Sequence, residues 1–281
     1  MANTDRQRGG QNNKKGNRYE DHFSVCRCLE LAPGVMSDGS FVSFREQSGC
    51  IVDDLHIREN ERHHYYQLKN DAGITWGEKG GKLRDEFAEQ LEICTAAGQD
   101  HTLTVVVSHA DRKSSLDTNM PSALAKRVTV RLFAAVRRPS ELATLPEIRE
   151  VLSELSASRT PSVELFSGLA QGFHLAWVET LPGPTGEIDL ADIISFVRDQ
   201  PAFRLRRCVP GTIHAEWGSF TAILEGIPGL KCYTDRGYFE WECGRERGLF
   251  PHVLDGQDFG RFVDRVLQKV PETIDDFVGL L

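Results

Sequence analysis

Tyr19, Phe23 and Cys26, with Val25 and Leu29 beside them, recur at helical spacing, so the pattern predicts a first helix from about residue 17 to 31. Pro33 and Gly34 are read as its end. A polar stretch follows, then two strand-like runs at 50–57 and 63–70, joined by the charged connection Arg58-Glu59-Asn60-Glu61-Arg62 that suits a hairpin. Residues 71–81 are Gly-rich and read as a loop. From 82 to 97, Leu83, Phe87, Leu91 and Cys94 form one helical stripe, as on a helix packed against a sheet. Leu103 to Val107 is a short β-branched run that predicts a buried strand, and 128–133 predicts another.

This order describes an α/β layer with a mixed sheet. Helices are then expected at 141–156, 163–180 and 187–198, with Pro201 closing that part. Beyond Phe203, alternating runs such as Tyr238-Phe239-Glu240-Trp241-Glu242-Cys243 predict a small β unit, with a last helix near 258–269. No internal repeat of 20–50 residues is visible. The domain reading is a disordered basic tail at 1–16, an α/β domain at 17–138 and a smaller α+β region at 139–281 for partner or oligomer contacts.

Composition narrows the setting. The chain has 281 residues, 40% of them hydrophobic and 26% charged, the mix of a globular protein. No apolar run approaches the ~20 residues of a membrane helix, and the polar start lacks the apolar stretch of a signal peptide, so a cytoplasmic protein without membrane contact is expected. The seven cysteines, an odd number without an export signal, fit reduced thiols better than a disulfide framework. With 33 Lys and Arg against 41 Asp and Glu, the net charge of −8 speaks against bulk coating of nucleic acid, though not against a local basic groove.

One cluster carries candidate chemistry. Glu20 sits on the first helix, Asp53 and Asp54 open the first strand run, and Gln67-Leu68-Lys69 ends the second. Alternation puts Gln67 and Lys69 on one face with Leu68 on the other, and the ~4.8 Å spacing of hairpin strands lets an Asp approach the Lys. Hard oxygen ligands facing a lysine suit Mg²⁺ and phosphate chemistry. The bland alternative is a solvated hairpin whose charges make surface ion pairs worth at most ~1 kcal/mol each.

The motifs Gly16-Asn17-Arg18-Tyr19-Glu20, Val52-Asp53-Asp54-Leu55-His56-Ile57 and Tyr65-Tyr66-Gln67-Leu68-Lys69 resemble the PD-(D/E)xK nuclease superfamily in its E…D…QxK form. The likeness is to the double-stranded-DNA nuclease domain of CBASS-type anti-phage effector endonucleases. It extends through a Trp-containing loop, Ile74-Thr75-Trp76, to a helix and a strand ending near Ser108. The resemblance implies a restriction-endonuclease-like core and a Mg²⁺-dependent DNA endonuclease of bacterial defence, with Mn²⁺ as a substitute. Carried over by position, Glu20, Asp54, Gln67 and Lys69 are the catalytic set. Asp54, Glu20 and Gln67 are its metal ligands, and Asp53 is the alternative to Asp54. The implied partners are double-stranded DNA and either further copies of the chain or a defence-system subunit. Two other readings use the same scaffold, an inactive interaction subunit and an RNase effector.

Lys126, Arg127, Arg131, Arg137 and Arg138 form a basic stretch, read either as phosphate contacts or as an ordinary charged surface. Arg112 with Lys113 and the Arg204, Arg206, Arg207 group are weaker candidates. His56, His63 and His64 are read as solvent-facing or DNA-contacting in preference to zinc ligands. Cys208, His214, Cys232 and Cys243 lack the close Cys pair of a structural zinc site.

Overall fold

The computed structural model describes residues 2–46, 50–71, 73–77, 82–180, 182–183, 186–207, 217–234 and 236–281, and for residues 2–17 the backbone alone. Helix α1 (Ala2–Asp38) leads into β1 (Val42–Glu46), β2 (Leu55–Glu59) and β3 (Arg62–Lys69). Helix α2 (Lys82–Ala96) crosses to β4 (Asp100–Val107), and α3 (Ala110–Thr118) precedes β5 (Val128–Leu132). After a 3-10 turn at Pro139–Thr144 come α4 (Pro146–Leu155), α5 (Val163–Glu179), the two-residue β6 (Ile188–Asp189) and α6 (Leu190–Arg198). The C-terminal unit holds α7 (Gly218–Glu225), β7 (Leu230–Tyr233), β8 (Tyr238–Cys243), β9 (Glu246–Val253), α8 (Gln257–Lys269) and α9 (Ile274–Val278). No described helix is long and apolar enough to cross a membrane.

The first sheet runs β5-β4-β3-β2-β1-β6. The segment β1 to β3 is an antiparallel meander, β4 lies parallel to β3, β5 parallel to β4, and β6 antiparallel to β1. The protein is therefore α/β, with a mixed sheet flanked by helices and a smaller antiparallel unit after it.

Strand alternation sorts side chains into two cores. Phe44, Leu55, Ile57, Tyr66, Leu68 and Val106 face a layer made by α1, α4, α5 and α6, where they meet Phe23, Leu152, Phe173, Trp177 and Ile194. On the opposite face Tyr65, Leu103, Val105, Val107 and Val130 meet Leu83, Phe87 and Cys94 of α2, Leu116 of α3, and Trp76. The C-terminal meander folds around an aromatic cluster of its own, including Phe239, Trp241, Phe250, Phe262 and Phe277, with Phe250 and Phe262 stacked at 4.8 Å. There Gly248 lies against the Trp241 indole, and a Cβ at that position would fall 2.5 Å from Nε1.

Several sequence expectations shift. Helix α1 passes through Pro33 to Asp38 because Ala32, Val35 and Met36 still pack on the core, and Gly39, at φ +71°, ends it. Its backbone is also helical through the segment expected as a disordered tail. Once Tyr19 onward is packed, extending a formed helix adds one hydrogen bond per residue with no new nucleation cost. Strand β1 was not expected, since its apolar run of Val42 and Phe44 is short and set among polar residues. Asp53 and Asp54 precede β2 and do not open it. Core residues from Leu142 to Leu205 share the α1 core, and those from Phe220 onward form the second one.

Polar bonds join the C-terminal unit to the helical layer. Arg236 donates from Nη1 to the carbonyls of Ser153 (2.9 Å), Ser156 (2.9 Å) and Ser158 (3.2 Å) at the end of α4. In return the buried Glu240 accepts from Ser158 Oγ (2.6 Å) and Arg159 N (2.9 Å). A cation on helix C-terminal carbonyls is favourable in its own right. Arg236→Ala is therefore expected to lower stability by about 1–3 kcal/mol, read as a lower urea midpoint. An unchanged midpoint would show that the clamp contributes nothing.

Candidate functional site

The site lies where β3 outruns its neighbour. Pairing with β2 ends at Leu55 opposite Tyr66, so Gln67, Leu68 and Lys69 continue without a β2 partner while β4 still pairs them through Val105, Val106 and Val107. The Asp54 carboxylate takes the vacant side. Its Oδ2 accepts the Leu68 N–H (2.7 Å) and the Gln67 side-chain amide. Lys69 Nζ is 3.6 Å from the same oxygen. Gln67 is buried, whereas Lys69 and Asp54 are only partly covered, their side chains 32% and 19% exposed. Oδ1 of Asp54 has no hydrogen bond among the described residues. Asp54, not Asp53, is thus the acid in contact with the Gln67–Lys69 strand end.

Helix α1 brings further acids to this corner. The Glu20 carboxyl is pushed up by burial and by the Asp54 charge, with Lys69 acting the other way. Asp21 is also raised by burial, against the pull of His174. Glu46, at the exposed end of β1 and opposite Leu55, is pushed up to about 7 by desolvation against its neighbours and by Asp21 and Glu20. The cluster is thus under-supplied with positive charge, with Lys69 the cation acting on Glu20. Its oxygen donors are of the type that suits a hard dication. Among the described residues, however, no three His, Cys, Asp or Glu side chains are gathered closely enough to hold an ion.

The expected basic stretch is divided. Arg131 turns inward, donating from Nη1 to Glu30 (3.2 Å) and lying over the Phe23 ring at 5.4 Å. Arg27 binds the same carboxylate. Burial would raise Glu30, but Arg131 and Arg27 together hold it below its ordinary value. The reading of Arg131 as a DNA contact is therefore replaced by an internal ion pair: its place on β5 faces the α1 core. Lys126 and Arg127 are exposed at the far end of the strands, since the next residue, Val128, pairs with Leu103 and through it with Tyr65. Arg137 and Arg138, also exposed, follow Leu132, which aligns through Val107 with Lys69, and so lie at the site's end of the sheet.

Lesser candidates are spoken for. Lys113 pairs with Asp117 at 2.6 Å and Arg112 with Asp111 at 3.5 Å. Arg206 meets Glu154 at 3.4 Å and Arg207 meets Asp255 at 3.5 Å. His56 and His63 share a hydrogen bond of 3.0 Å, while His64, on the other face of the sheet, bonds to its register partner Thr102 on β4 (2.8 Å). The three histidines therefore do not converge. Cys232 and Cys243 are free thiols, as are the other described cysteines, and Cys208 and His214 lie outside the described residues. Glu46 and its neighbour Arg45 were not singled out in the sequence. No sequence signal marks them, because Val42 and Phe44 are too few to show a period, and it is the pairing of β1 with β2 that sets Arg45 and Glu46 beside the Asp54 segment.

No family model matches the chain, and no curated protein does. Among solved structures it aligns with the Acinetobacter baumannii Cap4 SAVED/CARF-domain containing receptor, seen with the cyclic trinucleotides 2'3'3'-cAAA and 3'3'3'-cAAA. The TM-scores are 0.40 and 0.42, with 15% and 16% identity, over 64% and 65% of this chain and 43% and 46% of the receptor. The chain thus spans less than half the receptor's length. A likeness at this level bears on neither fold nor activity.

Glu46 gives a pH-dependent signature. Its carboxyl is easier to ionise in the unfolded chain, near 4.5, than in the folded protein, near 7. The stabilisation of the neutral form is complete below 4.5 and is lost as pH rises through 7. Glu46 is exposed and its charge partly screened by solvent, so Glu46→Gln, neutral at every pH, is expected to melt about 1–2 °C above wild type at pH 8 in EDTA and to match it near pH 4.5. Equal melting at both pH values would contradict the crowding of carboxylates described here.

Proposed function

We propose that this chain is a Mg²⁺-dependent nuclease that hydrolyses phosphodiester bonds in DNA, with Mn²⁺ able to replace Mg²⁺, and that it serves in bacterial defence. The observation carrying this reading is the joining of Asp54, Gln67 and Lys69 at one open sheet corner, inside the field of Glu20. The elements stand in the order of the motif resemblance: the Glu20 helix, the Asp53-Asp54 segment, the Gln67–Lys69 strand, the buried Trp76 and α2, then β4 running to Ser108. The defence role rests on that motif resemblance alone.

In this reading Asp54 and Glu20 would supply the carboxylate oxygens that hold the ion, with Asp53 the alternative to Asp54. The ion would supply charge neutralisation at the phosphate and a more acidic water. Gln67 keeps Asp54 in place by donating its amide to Oδ2, and the Leu68 N–H does the same from the backbone. Lys69, partly exposed, orients an attacking water and offsets negative charge growing on the phosphoryl oxygens. A second reading, an inactive subunit built on the same scaffold, is favoured by Gln67, a neutral amide that donates to Asp54 Oδ2 where a second acid would stand.

Purified protein incubated with duplex DNA, single strands and RNA, with Mg²⁺ or with EDTA, separates these readings. Metal-dependent cleavage of duplex DNA is expected, with Lys69→Ala slowing it by about 10²-fold or more. Asp54→Ala should do at least as much, and the double variant little more, because both act on one corner. Full activity in Lys69→Ala would overturn the assignment. Cleavage confined to RNA would move it to the RNase reading.

A further inference from the structure

The sheet face that carries Gln67 and Lys69 continues, away from the site, as a row of cations and imidazoles. On β3 that face holds His63, Tyr65, Gln67 and Lys69; on β2 it holds His56 and Arg58; on β1, Ser43 and Arg45. The register aligns them in two cross-strand rows. Arg45 stands opposite His56, which stands opposite Tyr65, and Ser43 opposite Arg58, which stands opposite His63. The first row is one pleat repeat, roughly 7 Å, from Gln67. Helices α2 and α3 pack over β4 and β5 and leave β1 exposed at Arg45.

The chemistry of this face suits a phosphate chain. Arg45 is exposed and has no acidic partner among the described residues. Arg58 is held upright by the Phe41 ring at 4.7 Å and by Glu187 at 3.1 Å, and its side chain remains 38% exposed. The rings of His56 and His63 lie parallel at 5.2 Å, and those of His56 and Tyr65 at 4.6 Å. Because the rings stack on one another, their faces are taken and their edges are what they offer outward. One bond joins His56 Nε2 to His63 Nδ1, and with both rings neutral one of the two outer nitrogens, His56 Nδ1 or His63 Nε2, carries an N–H for an external acceptor. The acids on the face are Glu187, tied to Arg58 and Ser43, Asp189, opposite Ser43 and capping α6 at the Ala191 N–H, and Glu61, which acts on His63.

We infer that the β1–β3 sheet face, with Arg45, Arg58, His56 and His63, is the track on which a polynucleotide backbone approaches the Asp54–Lys69 corner. This rests on the nuclease reading only for the direction of approach; the contacts are to phosphate and are independent of cleavage. Tyr65 and Gln67 are buried, so the track runs over β1 and β2; from Arg58 to Asp54 it spans roughly 13 Å, the rise of about four base pairs. Lys126 and Arg127, which precede β5, stand at the β5 edge of the sheet, four strands from β1, and lie off this track.

The test is fluorescence anisotropy of the full chain in EDTA, with a labelled 20-base-pair duplex, the matching single strand and the same-sequence RNA, across a salt series. Arg45→Ala is expected to weaken binding about tenfold at low salt and to reduce the slope of log affinity against log salt by about one. Arg45→Glu should weaken it further, whereas Lys126→Ala with Arg127→Ala should bind as wild type does. Wild-type affinity and slope in Arg45→Glu would overturn the track, as would wild-type protein that binds none of the three probes. The nuclease reading is judged separately by metal-dependent cleavage. Binding that depends on Arg45 without cleavage would keep the track and remove the nuclease, and cleavage unaffected by Arg45→Glu would do the reverse.

Discussion

A single carboxylate oxygen organises the candidate site. Oδ2 of Asp54 receives a backbone N–H from Leu68, an amide from Gln67 and the nearby ammonium of Lys69. It stands where the next residue of β2 would have offered a carbonyl. A sheet corner that would otherwise fray is therefore held by a side chain, and that same side chain is the group around which the chemistry is read. Shifting β3 by one residue would send Gln67 and Lys69 to the α1 face and bring Leu68 to the corner. The register is kept by burial on both sides, since Tyr65 belongs to one core and Tyr66 to the other.

The electrostatics follow from placing an acid-bearing helix against that corner. Glu20 and Asp21 come from α1, Glu46 from β1, and Asp53 and Asp54 from the segment before β2, with Lys69 beside Asp54 and acting on Glu20. Raised carboxyl affinities for protons record the imbalance. Elsewhere the chain balances its buried charge: Glu30 sits between Arg27 and Arg131 and is held ionised. The contrast between a compensated acid on one turn of α1 and uncompensated ones higher on the same helix marks the corner as different from ordinary structural pairing.

The parts of this arrangement that were legible in the sequence are those with long or regular patterns. The α1 stripe through Phe23 and Leu29, the α2 stripe through Leu83 and Phe87, and the β-branched run of β4 all appear as expected. The alternation of Gln67 and Lys69 about Leu68 is also as expected. Strand β1 escaped notice because two buried residues, Val42 and Phe44, are too few to show a period, and Arg45 and Glu46 were lost with it. The break placed at 138 followed a change in composition, but α4 and α5 bury their apolar faces on α1, a long-range contact that local pattern does not encode. Arg131 was read among surface cations because its partner, Glu30, is 101 residues away in the chain.

The Arg236 and Glu240 clamp has a mechanical consequence. The C-terminal unit has its own aromatic core, yet it grips the end of α4 and the start of the following segment through five short polar bonds. Such bonds weaken steeply with a small change in distance or angle, whereas apolar packing yields gradually. Under strain the two parts would hold their relative position almost rigidly and then separate abruptly, more like a latch than a spring.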